Sequence, residues 1–145
     1  MRALIQRVTH AKVEVDEQCV GEIGQGLLVF IGVEKGDRTE DADRLLKKVL
    51  AYRVFSDSAD KMNLSVTDVN GGLLLVSQFT LAANTKKGMR PSFTRAAEPK
   101  FSKTLYQYFC RQLREHGFQV PTGIFGADMK VTSVNDGPVT FTLTC

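Results

Sequence analysis

Apolar and polar residues alternate through the first third of the chain. Leu4, Ile5 and Val8 open it, and Ala11, Val13 and Val15 then alternate with Lys12 and Glu14, the period of a strand with one apolar face. Asp16-Glu17-Gln18 reads as a turn, with Val20 to Ile23 returning antiparallel. After Gly24-Gln25-Gly26, the run Leu27 to Val33 is continuously apolar, as expected of a strand buried on both faces. Arg7 and His10 fall in the first strand and read as solvated strand residues.

The period then changes. Over residues 39–53, Ala42, Leu45, Leu46, Val49 and Leu50 fall on one helical face. Asp37 or Thr39 is the expected cap, with acids in the first turns and Lys47, Lys48 and Arg53 near the end, as the helix dipole favours. Ser56 to Lys61 is turn-like. Met62, Leu64 and Val66 alternate up to Asn70-Gly71, a hairpin signal, with Leu73 to Val76 as the return strand. A second helix is expected over 98–116, with Pro99 at its first position and Gly117 as terminator. Its apolar stripe is Phe101, Leu105, Tyr108, Phe109 and Leu113. Two last strands flank Asn135-Asp136-Gly137-Pro138. Met129, Val131 and Ser133 alternate before it, and Val139, Phe141 and Leu143 after it. By spacing alone this is a trans Gly-Pro hairpin turn; the sharper reading is a rigid backbone that presents its carbonyl oxygens.

Strands, helix, hairpin, loop, helix and two strands make an α+β chain with mainly antiparallel or mixed sheet. The length of 145 residues fits a single domain spanning 1–145. No apolar run approaches the roughly 18–20 residues that span a bilayer, and Met1 leads straight into strand-like sequence. A cytoplasmic protein with no membrane partner is expected. Cys19, Cys110 and Cys145 are scattered and odd in number, which fits a reducing compartment. No metal-ligand spacing stands out, and no cofactor is expected.

Two stretches carry candidate chemistry. Ser77-Gln78-Phe79-Thr80 ends a buried strand, where polar groups are held rigidly and build a site, or simply satisfy one another. Over 84–95, Lys86, Lys87, Arg90 and Arg95 occur with no acidic residue. This basic loop is either solubilising or a contact for a nucleic-acid backbone. The net charge of +3 permits such a partner without demanding one.

With these motifs in view, the chain resembles the D-aminoacyl-tRNA deacylase family. The resemblance runs the whole length: Ala-Leu-Ile-Gln-Arg-Val (3–8), Gly-Leu-Leu-Val (26–29), Tyr-Arg-Val-Phe-Ser-Asp (52–57), Lys-Met-Asn-Leu (61–64), Ser-Gln-Phe-Thr-Leu (77–81), Arg-Pro-Ser-Phe (90–93), Gly-Ala-Asp-Met (126–129) and Asn-Asp-Gly-Pro-Val-Thr (135–140). Each is weak alone; together, in order, they are specific. Gly126 stands where alanine is expected. The resemblance implies a barrel-like core with two principal helices. It implies hydrolysis of the ester linking a D-amino acid to the 3′ end of tRNA, by a homodimer with sites at the subunit interface. Ser77, Gln78, Phe79 and Thr80 would form the catalytic stretch. Gly137 and Pro138, joined by a cis bond, would reach into the partner's site. Phe125 and Met129 would lie beside the terminal adenosine, and Lys86, Lys87 and Arg90 would contact tRNA.

If the Gly137 and Pro138 carbonyls hold the substrate ammonium and N–H groups near Phe79 and Thr80 hold the ester carbonyl, the side chain of an L-amino acid runs into the Gly-Pro backbone. L-substrates are excluded sterically, and glycyl-tRNA is accepted at least in part. Thr80 serves either as a nucleophile or through its backbone N–H in an oxyanion hole, with the tRNA 2′-hydroxyl assisting. The second is favoured, since no His, Lys or acid is adjacent. Rival readings are a non-catalytic RNA-binding module, an esterase of small D-amino acid esters, and a structural dimer.

Overall fold

The computed structural model describes residues 1–86 and 88–145. Strand β1 (Arg2–Val15) turns through Asp16 and Glu17, both at positive φ, into β2 (Gln18–Ile23). Such a two-residue turn matches strand twist. Strand β3 (Gly26–Gly32) pairs antiparallel with the first half of β1, while β2 pairs with the second half. Helix α1 (Thr39–Ala51) leads to the short strands β4 (Phe55–Ser56) and β5 (Met62–Leu64), and β6 (Gly72–Ser77) pairs parallel with β3. A 3₁₀ turn (Phe79–Ala82), a loop, helix α2 (Pro99–Glu115) and strand β7 (Lys130–Thr144) complete the chain. The fold is α+β: a five-stranded mixed sheet curled into a half-barrel, with two helices.

The apolar run of β3 is buried on both faces, as its composition requires. Leu27, Val29 and Ile31 pack with Leu73 and Leu75 against Leu45, Val49 and Phe109 of the helices. On the opposite face, Leu28, Leu74 and Val76 pack with Val8, Val13 and Ile23. Gly21 of β2 lies close against this second cluster, where a methyl would sit 3.1 Å from both Leu74 Cδ1 and the Thr122 carbonyl oxygen.

Several expectations are corrected. Asn70-Gly71 does not close a β-hairpin. Instead Met62–Leu64 pairs with Phe55–Ser56 across a turn in which the Asp57 carboxylate accepts the N–H groups of Ala59 and Lys61. Asn70, at φ 50°, ends a turn in which Gly71 N–H donates to the Val66 carbonyl at 2.9 Å. The parallel pairing of β6 with β3 takes the edge the hairpin would have used.

The helix expected over 39–53 stops at Ala51, and its cap is Arg38. Asp41 accepts the Arg38 N–H at 2.8 Å. Asp37 is engaged elsewhere, with the Met1 ammonium and the Glu34 N–H. In α2, Phe101 is exposed and Tyr108 only half-buried; the inward stripe includes Ser102, Tyr106 and Cys110.

The last expected hairpin is one continuous strand. β7 pairs antiparallel with β1 from Glu14↔Lys130 to Arg2↔Thr144. Its register breaks between Gln6↔Thr140 and Val8↔Asn135, so Asp136 to Val139 lie opposite Arg7 alone. Asn-Asp-Gly-Pro is therefore a bulge and not a chain reversal. The Gly137-Pro138 bond is cis, against the spacing-based expectation and as the resemblance implied.

Candidate active site

The parallel ladder of β3 and β6 runs out at Ile31↔Ser77, and Gln78 N–H extends it by donating to the Ile31 carbonyl at 2.7 Å. The chain then tightens into the 3₁₀ turn, seated on the end of β3 because residue 32 is glycine. A methyl at Gly32 would lie 2.8 Å from Leu81 Cβ and 3.1 Å from the Gln78 carbonyl oxygen. The first N–H groups of such a turn have no acceptor within it, and here they belong to Phe79 and Thr80.

This turn borders a cleft of about 440 Å³ lined by Ser77, Gln78 and Phe79. Its walls are Ile31 and Val76 from the sheet, Val33 just after β3, and Pro99, Ser102 and Tyr106 from α2. Phe125, Gly126, Ala127, Met129 and Val131 complete its lining. The segment leading to them is held by β6: Leu75 N–H donates to the Pro121 carbonyl, and Gly123 N–H to the Leu75 carbonyl. Gly123 also makes room for Met129, since a methyl there would sit 2.5 Å from its sulfur. Gly126 has φ +79°, a left-handed conformation that glycine adopts at little cost.

Of the residues named from sequence, Ser77, Gln78, Phe79, Phe125 and Met129 line this one cleft. Thr80 is exposed at its edge, and its hydroxyl accepts a hydrogen bond from Gln78 Nε2 at 2.5 Å. An amide cannot take a proton from that hydroxyl, and among the described residues no histidine, lysine or carboxylate bonds to it. Phe79 is 57% exposed and packs against Phe93 of the basic loop, ring centroids 5.0 Å apart. Reciprocal backbone hydrogen bonds between Asn84 and Ser92 pinch the loop's base. Lys86 and Arg90 lie exposed beyond that pinch, outside the cleft lining, and Lys87 lies outside the described residues.

Gly137 and Pro138 are not in this chain's cleft. They are exposed on the β7 bulge, beside Arg7. The Arg7 guanidinium donates from Nε to the Asp136 carbonyl at 3.0 Å and from Nη1 to the Val54 carbonyl at 2.6 Å. With its side chain only 12% exposed, Arg7 is not the solvated strand residue expected. His10 is partly exposed and pairs with Glu22.

Sequence reasoning also missed Tyr106 and Ser102. The Tyr106 hydroxyl donates to the Leu75 carbonyl at 3.0 Å, and its ring meets Phe125 at 6.0 Å. Burial raises its pKa, so it remains a protonated donor that braces the wall. The spacing Ser102, Tyr106, Cys110 at i, i+4 and i+8 was the available signal. Among the described residues no group of three or more His, Cys, Asp or Glu could hold a metal ion, and no helix is long and apolar enough to cross a membrane.

Residues 4–144 match the family model described as D-Tyr-tRNA(Tyr) deacylase. A protein of Colwellia psychrerythraea named D-aminoacyl-tRNA deacylase is 60% identical over 144 residues, with 99% of each chain covered. One of the same name from Pseudoalteromonas translucida is 61% identical over 143 residues, again covering 99% of each. The solved structure titled c-Myc DNA Unwinding Element Binding Protein superposes with a TM-score of 0.94 at 37% identity, covering 100% of this chain and 99% of that one. One titled as a probable eukaryotic D-amino acid tRNA deacylase reaches a TM-score of 0.86 at 17% identity, covering 99% and 98%, and bears on the fold alone.

Proposed function

The chain belongs to the D-Tyr-tRNA(Tyr) deacylase family, and from that premise we propose how its cleft serves the reaction. The protein is a D-aminoacyl-tRNA deacylase, a hydrolase of the ester between a D-amino acid and tRNA. The terminal adenosine lies between Phe125 and Met129, with the ester carbonyl over the Phe79 and Thr80 N–H groups. Those donors stabilise the developing oxyanion. Water attacks, oriented by the 2′-hydroxyl of the terminal ribose, and the Thr80 side chain supplies no proton transfer. That assignment rests on the Thr80 hydroxyl having an amide as its neighbour.

One observation carries the proposal for chirality. The cleft holds Ser77 to Phe79, whereas Gly137-Pro138 stands exposed on another part of the same chain. A second copy supplies the missing wall, so the working protein is a homodimer. β7 suits this role, with Val134 and Phe141 exposed on a long edge strand, a surface proteins ordinarily cover. The partner's Gly-Pro carbonyls bind the substrate ammonium, and their stiff backbone fills the space an L side chain needs. Lys86, Lys87 and Arg90 meet the tRNA acceptor stem, and the reaction takes place in the cytoplasm.

The test is deacylation of matched D-Tyr-tRNA and L-Tyr-tRNA with a chelator present. Cleavage of the D form alone is expected; cleavage of both overturns the steric filter. The solved structure named for DNA binding motivates the rival of nucleic-acid binding without catalysis. Binding of D-Tyr-tRNA with no ester loss would establish it. Equal cleavage of D-tyrosine methyl ester would instead favour the small-ester reading.

A further inference from the structure

A second groove lies beside the cleft along α2. It measures about 330 Å³ and shares Tyr106 and Phe125 with the cleft. Lys103, Gln107 and Arg114 form one wall, one helical turn apart or two, and Ile124 stands on the other at 46% exposure. No carboxylate lines it among the described residues. Arg114 is anchored by donating to the Val120 carbonyl at 3.2 Å. Lys103 is exposed, and among the described residues it makes no ion pair.

We infer that this groove takes the two cytidines that precede the terminal adenosine of tRNA, with Lys103 on a phosphate and Ile124 against a base. The inference rests on the deacylase reading and on the adenosine lying beside Phe125. With the adenine base at Phe125, the preceding cytidine stacks next to it in a single strand. That is where the groove lies. Single-stranded nucleotides are held by such a combination, cations tracking the backbone and apolar or aromatic groups under the bases. The basic loop is placed differently, since its base packs on Phe79 through Phe93, beside the ester. The nucleotides nearest the adenosine therefore run along α2, and the loop is left for more distant phosphates.

The test is a cycle between protein and RNA charges. Binding of an uncharged acceptor minihelix ending in CCA is measured by fluorescence anisotropy, with the phosphates of the two cytidines either native or replaced by neutral methylphosphonates. Lys103→Gln should weaken binding of the native minihelix by about threefold, the size of an exposed charge pair, and lower its salt slope by about 0.7. It should add little once those phosphates are neutral, because coupled partners are not additive. Lys103→Arg should restore affinity. The inference is overturned if Lys103→Gln has no effect, or if its effect is undiminished by the methylphosphonates. It is equally overturned if Lys86→Gln/Arg90→Gln, rather than Lys103→Gln, shows the coupling. Because the RNA is uncharged, these outcomes are independent of turnover. Failure to cleave D-Tyr-tRNA would strike the deacylase reading alone.

Discussion

Arg7 Nε donates to the Asp136 carbonyl oxygen at 3.0 Å, across the break in register that separates Val8↔Asn135 from Gln6↔Thr140. The same guanidinium holds the Val54 carbonyl at 2.6 Å. Arg7 thus ties the β7 bulge to the chain leaving α1, and the residue after Asp136 is Gly137, at φ 127°. A side chain at Gly137 would approach Arg7 Nη2 at 3.1 Å, so glycine and arginine fit one another here.

If that tie orients the Gly137-Pro138 carbonyls, Arg7→Lys should cost activity more than folding. A lysine ammonium has no planar fork to span two carbonyls. D-Tyr-tRNA deacylation should fall about tenfold or more, since each hydrogen bond from a charged group contributes about 1.5–3 kcal/mol. Circular dichroism should stay native. An unchanged rate would show that the bulge holds its own shape.

Thr80→Ala should retain activity within about tenfold, because the backbone N–H survives the change. The comparison is a single-turnover rate on D-Tyr-tRNA. A drop of several orders of magnitude would identify the hydroxyl as nucleophile and sink the backbone account.

Glycyl-tRNA should be cleaved measurably while L-Tyr-tRNA is not, since glycine has no side chain to meet the Gly-Pro wall. Complete resistance of glycyl-tRNA would mean that selectivity does not come from steric exclusion of the L side chain.

Acid should destabilise the fold through three aspartates. The pKa of Asp41 is lowered chiefly by the Arg38 N–H, that of Asp57 by the Lys61 N–H and the Asn63 amide, and that of Asp68 by the Ser65 N–H and hydroxyl. A value depressed on folding stabilises the native state above the unfolded value of about 3.9 and is lost as pH falls through the folded one. Tm should be level from neutral pH to about pH 5 and decline below about pH 4. Asp57→Asn should flatten that decline, and a Tm indifferent to acid would contradict it.

Cys110 should resist thiol reagents in the native protein, since burial raises its pKa to about 11 and removes it from solvent. Labelling at mildly alkaline pH should reach exposed Cys19 and spare Cys110 until denaturant is added. Rapid native labelling of Cys110 would show that α2 opens from the core.

Much of the molecule was legible from local pattern. The Leu27–Val33 run announced a strand covered on both faces, and the spacing of Ala42 to Val49 announced α1, because periods of two and 3.6 record which side meets the core. The grouping of Ser77 to Thr80 at a strand end was readable for the same reason. What failed was pairing. Asn70-Gly71 is a turn signal whichever strand follows, and nothing local says that Leu73–Val76 will bond parallel to β3. Asn135 to Pro138 likewise marks an irregularity, but a bulge and a reversal use the same residues. Only the long partner β1, continuous from Arg2 to Val15, makes it a bulge. Arg7 became a partly buried clasp and Tyr106 a cleft wall by the same means. Each depends on a contact between residues distant in the chain. Sequence by itself determined the elements and their chemical inventory, because periodicity and propensity act between neighbours. Tertiary structure alone decided which edges pair and which motifs share a cleft, because those choices follow from burying all the apolar faces at once.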